Sequence, residues 1–259
     1  MLAQTIALFR YLWRGIIGRR FFVLVGVLLL VAVLSGTFLG ELAIIRGDAI
    51  VAGFVADFLR YGLVLLVLLM VAASVADDYE FRQFERLLSM PLSRWQYIAA
   101  QALVIAALTF VLVMPVLLLM AWYSEPATAF YWAAALWLEL FLVGLLGLLA
   151  IMSLEKVPAA VFFALAVYLL AKLSGLIGLI VEESVRMAEG SAASRVVQLI
   201  FEAILYVMPD SSHFARNDVF FTALDPLAAL GQQALGVLIY GGFLVTVCLV
   251  DFYRKEFNL

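Results

Sequence analysis

Glu139 and Lys172 are two residues whose type and setting demand a chemical account. Each interrupts an apolar run long enough to cross a bilayer, where an ionised side chain is costly and is usually kept for a purpose. Glu139 lies about nine residues from the start of the run 130–152, and Lys172 about nine from the end of the run 157–181. At 1.5 Å per residue both sit roughly 13 Å deep. The four residues Ser153-Leu154-Glu155-Lys156 form a tight loop between the two runs, so the runs make an antiparallel hairpin. Glu139 and Lys172 are therefore expected to approach each other or to share one polar cavity. The pair could neutralise itself while holding two helices together, Lys172 could snorkel between helices, or both residues could line a translocation path and touch its substrate.

Other chemistries lack their residues. His213 is the single histidine, which excludes bis-histidine haem ligation and histidine-rich metal sites within one chain. It sits in Asp210-Ser211-Ser212-His213-Phe214 and reads as a polar loop residue. No Gly-x-Ser-x-Gly elbow is present. Of the three lysines (Lys156, Lys172 and Lys255) none follows a glycine, so no Walker A loop exists to hold ATP. The lone Cys248 stands in an apolar run and reads as packing. The expectation is a chain with no catalytic residue, metal site or cofactor of its own.

A second kind of chemistry, docking, is suggested by the stretch 77–95, a charged island between two apolar runs. Phe81, Phe84, Leu87 and Leu88 recur at helical spacing, while Glu80, Arg82, Gln83, Glu85 and Arg86 fill the other face. This predicts a short amphipathic helix, closed by Ser89-Met90-Pro91, that needs a protein partner or a membrane surface.

The elements that must position these residues are membrane spans. The chain of 259 residues is 67% hydrophobic and 14% charged, with a mean hydropathy of +1.14, which is an integral membrane composition. Residues 1–20 alternate apolar Leu2, Ile6, Phe9, Trp13 and Ile16 with Gln4, Arg10 and Arg14, the pattern of a helix lying in the interface. Six spans follow, at 21–39, 57–76, 97–122, 130–152, 157–181 and 235–250. A polar connection is expected at 41–56, and Pro115 is expected to kink the third span or mark an irregularity. The segment 182–233 contains an amphipathic stretch at 192–207 ended by Pro209. No Pro-, Gly- or Ser-rich linker divides the chain, so a single domain is expected.

Sidedness follows from the basic residues. With both termini and the 77–95 island in the cytoplasm, ten fall inside (Arg10, Arg14, Arg19, Arg20, Arg82, Arg86, Arg94, Lys156, Arg254, Lys255) and five outside (Arg46, Arg60, Arg186, Arg195, Arg216). The segment 182–233 then faces outward.

Together these features resemble the permease subunit of a type-2 ABC exporter. Phe84-Glu85-Arg86-Leu87-Leu88-Ser89-Met90-Pro91-Leu92-Ser93-Arg94-Trp95 is similar to that family's pattern of an acid, a leucine pair, a small residue, a hydrophobe, Pro, a hydrophobe, Ser and Arg. The tail Phe252-Tyr253-Arg254-Lys255-Glu256 is similar to the family's ending. The resemblance implies an all-α permease in the plasma membrane (the inner membrane of a Gram-negative bacterium), working as a dimer of permease chains. It also implies a separate cytoplasmic ATPase subunit carrying ATP and Mg, docked by a coupling helix. The coupling residues are then Glu80, Phe81, Phe84, Glu85, Arg86, Leu88, Met90, Pro91 and Arg94. The amino-terminal segment departs from the sugar-polymer branch of the family, which weakens a polysaccharide cargo, and the apolar walls suit an amphipathic one. A membrane anchor or assembly factor that recruits a cytoplasmic partner through the same helix is the alternative. No nucleic-acid partner is expected.

Overall fold

The apolar runs of this chain fold as helices, the conformation that satisfies backbone N–H and C=O groups inside one segment and so tolerates lipid. The computed structural model describes residues 2–16, 19–42, 47–80, 94–187 and 226–254. These residues form seven helices: α1 (Leu2–Ile16), α2 (Arg19–Leu42), α3 (Gly47–Glu80), α4 (Arg94–Tyr123), α5 (Pro126–Leu154), α6 (Val157–Met187) and α7 (Pro226–Arg254). Five of them contain a stretch long and apolar enough to cross a membrane: Phe22–Glu41, Val51–Ala76, Trp95–Tyr123, Pro126–Leu154 and Leu230–Arg254. A shorter apolar stretch, Val157–Leu173, opens α6. Among the described residues the protein is all-α, with the apolar helices of a multi-pass membrane protein.

Helix α5 is the axis. It packs against α3, α4, α6 and α7, and 72% of its apolar window is buried, against 17% for α2 and 22% for α7. Lipid supplies no hydrophobic drive between helices, so close approach depends on small residues. Gly144 and Gly147 provide it: a Cβ at Gly144 would run into Cγ2 of Ile105 on α4, and one at Gly147 would stand 2.9 Å from Cδ2 of Leu68 on α3. The Gly144 and Gly147 contacts with Val67 and Val71 show α3 running parallel to α5. Trp137 Nε1 donates to the Ala106 carbonyl at 3.2 Å, with Ile105 beside Gly144, so α4 runs antiparallel. Gly241 beside Leu145, and Ser153 Oγ donating to Asp251 Oδ2 at 3.3 Å, set α7 parallel to α5.

Several boundaries differ from the sequence reading. The polar connection expected at 41–56 is largely helix, because α2 reaches Leu42, α3 starts at Gly47, and Val51, Ala52, Val55 and Ala56 are already buried. The last span was expected to begin near 235, but α7 starts at Pro226, where a first-turn proline gives up no intrahelical hydrogen bond. Pro115 lies inside α4 without ending it. In α1 the buried stripe is Leu8, Leu12 and Ile16, with the stacked pair Phe9 and Trp13 on its flank. That stripe is rotated from the expected one because α1 docks on α3 and α4. Arg10 and Arg14 are exposed.

The α5–α6 turn is tight, as read from the sequence. Glu155 takes a left-handed conformation (φ 58°, ψ −2°), and its N–H bonds the Ile151 carbonyl at 2.9 Å, closing α5. Pro158 falls in the first turn of α6. Along α4, exposed Trp95 and Trp122 mark the two ends. At 1.5 Å per residue they are about 40 Å apart, the span from one headgroup region to the other, where tryptophan concentrates.

Candidate functional site

The middle of α5 presents one carboxylate, and three helices supply its surroundings. Glu139 lies about 20 Å along the helix from Pro126 and about 22 Å from Leu154, near mid-helix and deeper than the sequence reading put it. It is 2% exposed. The hairpin brings Lys172 to it, with Nζ donating to Glu139 Oε1 at 2.9 Å. Tyr168, one turn before Lys172 and on the same face of α6, donates its OH to the same oxygen at 2.9 Å.

Sequence reasoning missed both Tyr168 and a further contributor, Arg60. Arg60 of α3 is read from the sequence only as one of five basic residues on the outer side of the membrane, but it is 4% exposed and faces Glu139, with Nε 3.7 Å from Oε2. Its Nη1 donates to Asp57 Oδ1 at 3.0 Å, an i, i+3 pair on α3. The guanidinium lies 6.0 Å from the centroid of the Trp132 ring on α5, within cation–π range. Tyr61 meets Tyr168 edge to face at 6.4 Å and closes the α3–α6 side. The clue present in the sequence was an arginine inside an apolar run, the feature that singled out Glu139 and Lys172. Taking the run to start at Asp57 placed Arg60 at its edge.

The cluster is balanced in formal charge, Arg60 and Lys172 against Asp57 and Glu139. The two carboxylate oxygens of Glu139 are unequal. Oε1 accepts two short hydrogen bonds, whereas the buried Oε2 accepts none, Arg60 Nε standing beyond hydrogen-bond length. Exposure is also graded, with side-chain values of 2% for Glu139, 5% for Arg60, 12% for Lys172 and 46% for Asp57. This arrangement can tie three helices together and can exchange one counter-ion of Glu139 for another.

A second group sits at one end of the bundle, where α4 begins and α7 ends. Gln101 Nε2 donates to Tyr97 OH at 3.0 Å, and the Tyr97 ring stacks on Phe252 of α7 at 5.7 Å and 19°. Both rings and Gln101 are buried. The contact ties the start of α4 to the end of α7.

For the expected docking stretch, the structure continues α3 through Asp77, Asp78, Tyr79 and Glu80, and starts α4 at Arg94. The first charges of the island are therefore the last turn of a membrane-length helix. Phe81, Phe84, Glu85, Arg86, Leu88, Met90 and Pro91 lie outside the described residues, as do His213 and the amphipathic stretch 192–207. Cys248 is buried, 1% exposed. No protein-family model matches the chain, and neither does any curated protein sequence.

Proposed function

We propose that this chain is the membrane-spanning subunit of an ATP-driven exporter of the ABC type, with α6 as a sixth span. Two copies form the translocation path, and the stretch 77–95 docks on a separate cytoplasmic ATPase. The observation that carries the reading is the acid, Leu-Leu, Pro and Ser-Arg pattern of 84–95 between two membrane-length helices, α3 and α4. A force applied there would enter the bundle through rigid elements. The end of α3 leads back to Arg60 and Asp57, while the start of α4 leads through Tyr97 to Phe252. Without Arg60, buried in the cluster, the basic residues divide ten to four in favour of cytoplasmic termini. Glu139 and Lys172 belong to the path or gate it.

The test is co-purification with the ATPase encoded nearest to this chain, comparing wild type with Glu85→Ala and Phe84→Asp. Loss of the complex, or of the chain's effect on ATP hydrolysis, is the expected result. An intact and fully responsive complex in both variants would sink the coupling role. A complex that forms through 77–95 but drives no movement would favour the anchor or assembly factor.

A further inference from the structure

The cluster contains one cation that can leave. Arg60 is held by Asp57, by Glu139 and over the Trp132 ring, and is almost fully buried. Lys172 is the more exposed cation and sits on a four-carbon stem that can carry its charge elsewhere. Among the described residues, the charged side chains acting on Lys172 include Glu139, Arg60 and Asp57. With Lys172 in place the four charges cancel. With its ammonium withdrawn the remaining three sum to a single negative charge, beside a tyrosine hydroxyl and a carboxylate oxygen, Oε2, that still accepts no hydrogen bond. A site with those properties takes a monovalent donor cation. An anion entering there would meet two carboxylates.

We propose that Glu139, Asp57 and Tyr168 form a binding site for a primary ammonium group, which the chain's own Lys172 occupies in this structure. The side of approach defines the rest of the ligand. Asp57 is the half-exposed carboxylate of the cluster; α3 exposes Phe54, Tyr61 and Leu65 on either side of it, and α6 exposes Leu169 and Leu173 next to Tyr168 and Lys172. An apolar tail would lie along those side chains while the ammonium reaches Glu139, so the ligand is an amphiphile with an amine head. This rests on the proposed function only in calling that ligand a cargo.

Chemical rescue tests the site. Lys172→Ala in detergent is expected to melt about 5–10 °C below wild type, the cost of leaving a buried carboxylate with one counter-ion fewer. Ethylammonium chloride should recover roughly half of that loss or more, saturably, where sodium chloride at equal ionic strength does not. Wild type, whose site is filled, and the double variant Lys172→Ala/Glu139→Gln should not respond. Should Lys172→Ala fail to accumulate, Lys172→Met keeps most of the stem's packing and is probed with methylammonium in the same way. Ethylammonium or methylammonium acting no better than sodium, or equally well without the Glu139 carboxylate, would overturn the proposal. The readout needs neither an ATPase nor transport, so its failure would leave the proposed function standing.

Discussion

At the scale of single residues, the molecule concentrates its chemistry on one carboxylate. Removing a partner from a buried ion pair costs about 3–5 kcal/mol when the remaining charge has no compensation. Glu139→Gln leaves both Arg60 and Lys172 short of an anion, and should destabilise by an amount in that range. Lys172→Met leaves Glu139 with Arg60 3.7 Å away and should cost clearly less. Thermal denaturation of the two variants in the same detergent checks the order, and equal losses would show that Arg60 does not act as a counter-ion. Tyr168→Phe deletes one hydrogen bond to a charged acceptor, and a loss of about 1.5–3 kcal/mol is expected. A double-mutant cycle on Tyr168 and Glu139 should return a coupling energy of about 0.5–3 kcal/mol, whereas zero would mean that the 2.9 Å contact contributes nothing.

At the scale of elements, α5 is held by close backbone approach more than by polar bonds. Gly144→Ala places a Cβ where Ile105 Cγ2 already stands, with Val67 Cγ1 at 3.4 Å, and overpacking of this kind costs about 1–3 kcal/mol. Gly241→Ala meets only Leu145 Cδ1 at an ordinary 3.4 Å and should be neutral. Comparing the two by melting temperature separates a tight interface from helix propensity, which would favour alanine at both sites alike. The α5–α6 turn offers the opposite change. Glu155 holds a left-handed backbone that costs a non-glycine residue about 1–2 kcal/mol, so Glu155→Gly should not lower stability and Glu155→Val should. The apolar faces of α2 and α7, with Phe22, Leu34 and Phe38 on one and Leu238, Ile239 and Phe243 on the other, are left exposed for lipid tails or another chain.

At the scale of the whole molecule, the proposed sidedness makes a prediction independent of any partner. In a Cys248→Ser background, cysteines introduced at exposed Trp95 and Trp122 stand at opposite ends of α4. In intact cells or sealed vesicles of one orientation, a membrane-impermeant maleimide should label one of the two and not the other. Cytoplasmic termini require that position 95 is labelled only from the cytoplasmic side. Labelling of both from one side would break the reading of α4 as a span, and the reverse pattern would move the 77–95 stretch to the wrong side for an ATPase.

What the sequence by itself determined was whatever depends on solvent and on neighbours along the chain. The apolar runs, the turn between α5 and α6, and the meeting of Glu139 with Lys172 all follow from composition and from a four-residue loop that allows only a hairpin. What only the tertiary structure decided was how α3 sits against that hairpin. Helix α3 is apolar over most of its circumference, so no periodicity marks which residue faces α5. The rotation and register that place Arg60 over Trp132 and beside Glu139 come from contacts with residues more than seventy positions away, with Gly144 and Gly147 letting the helices close. The position of α1 was settled the same way, since the stripe it buries depends on which neighbours it meets. The docking proposed for the 84–95 pattern belongs to neither source, because it would take a second molecule to show it.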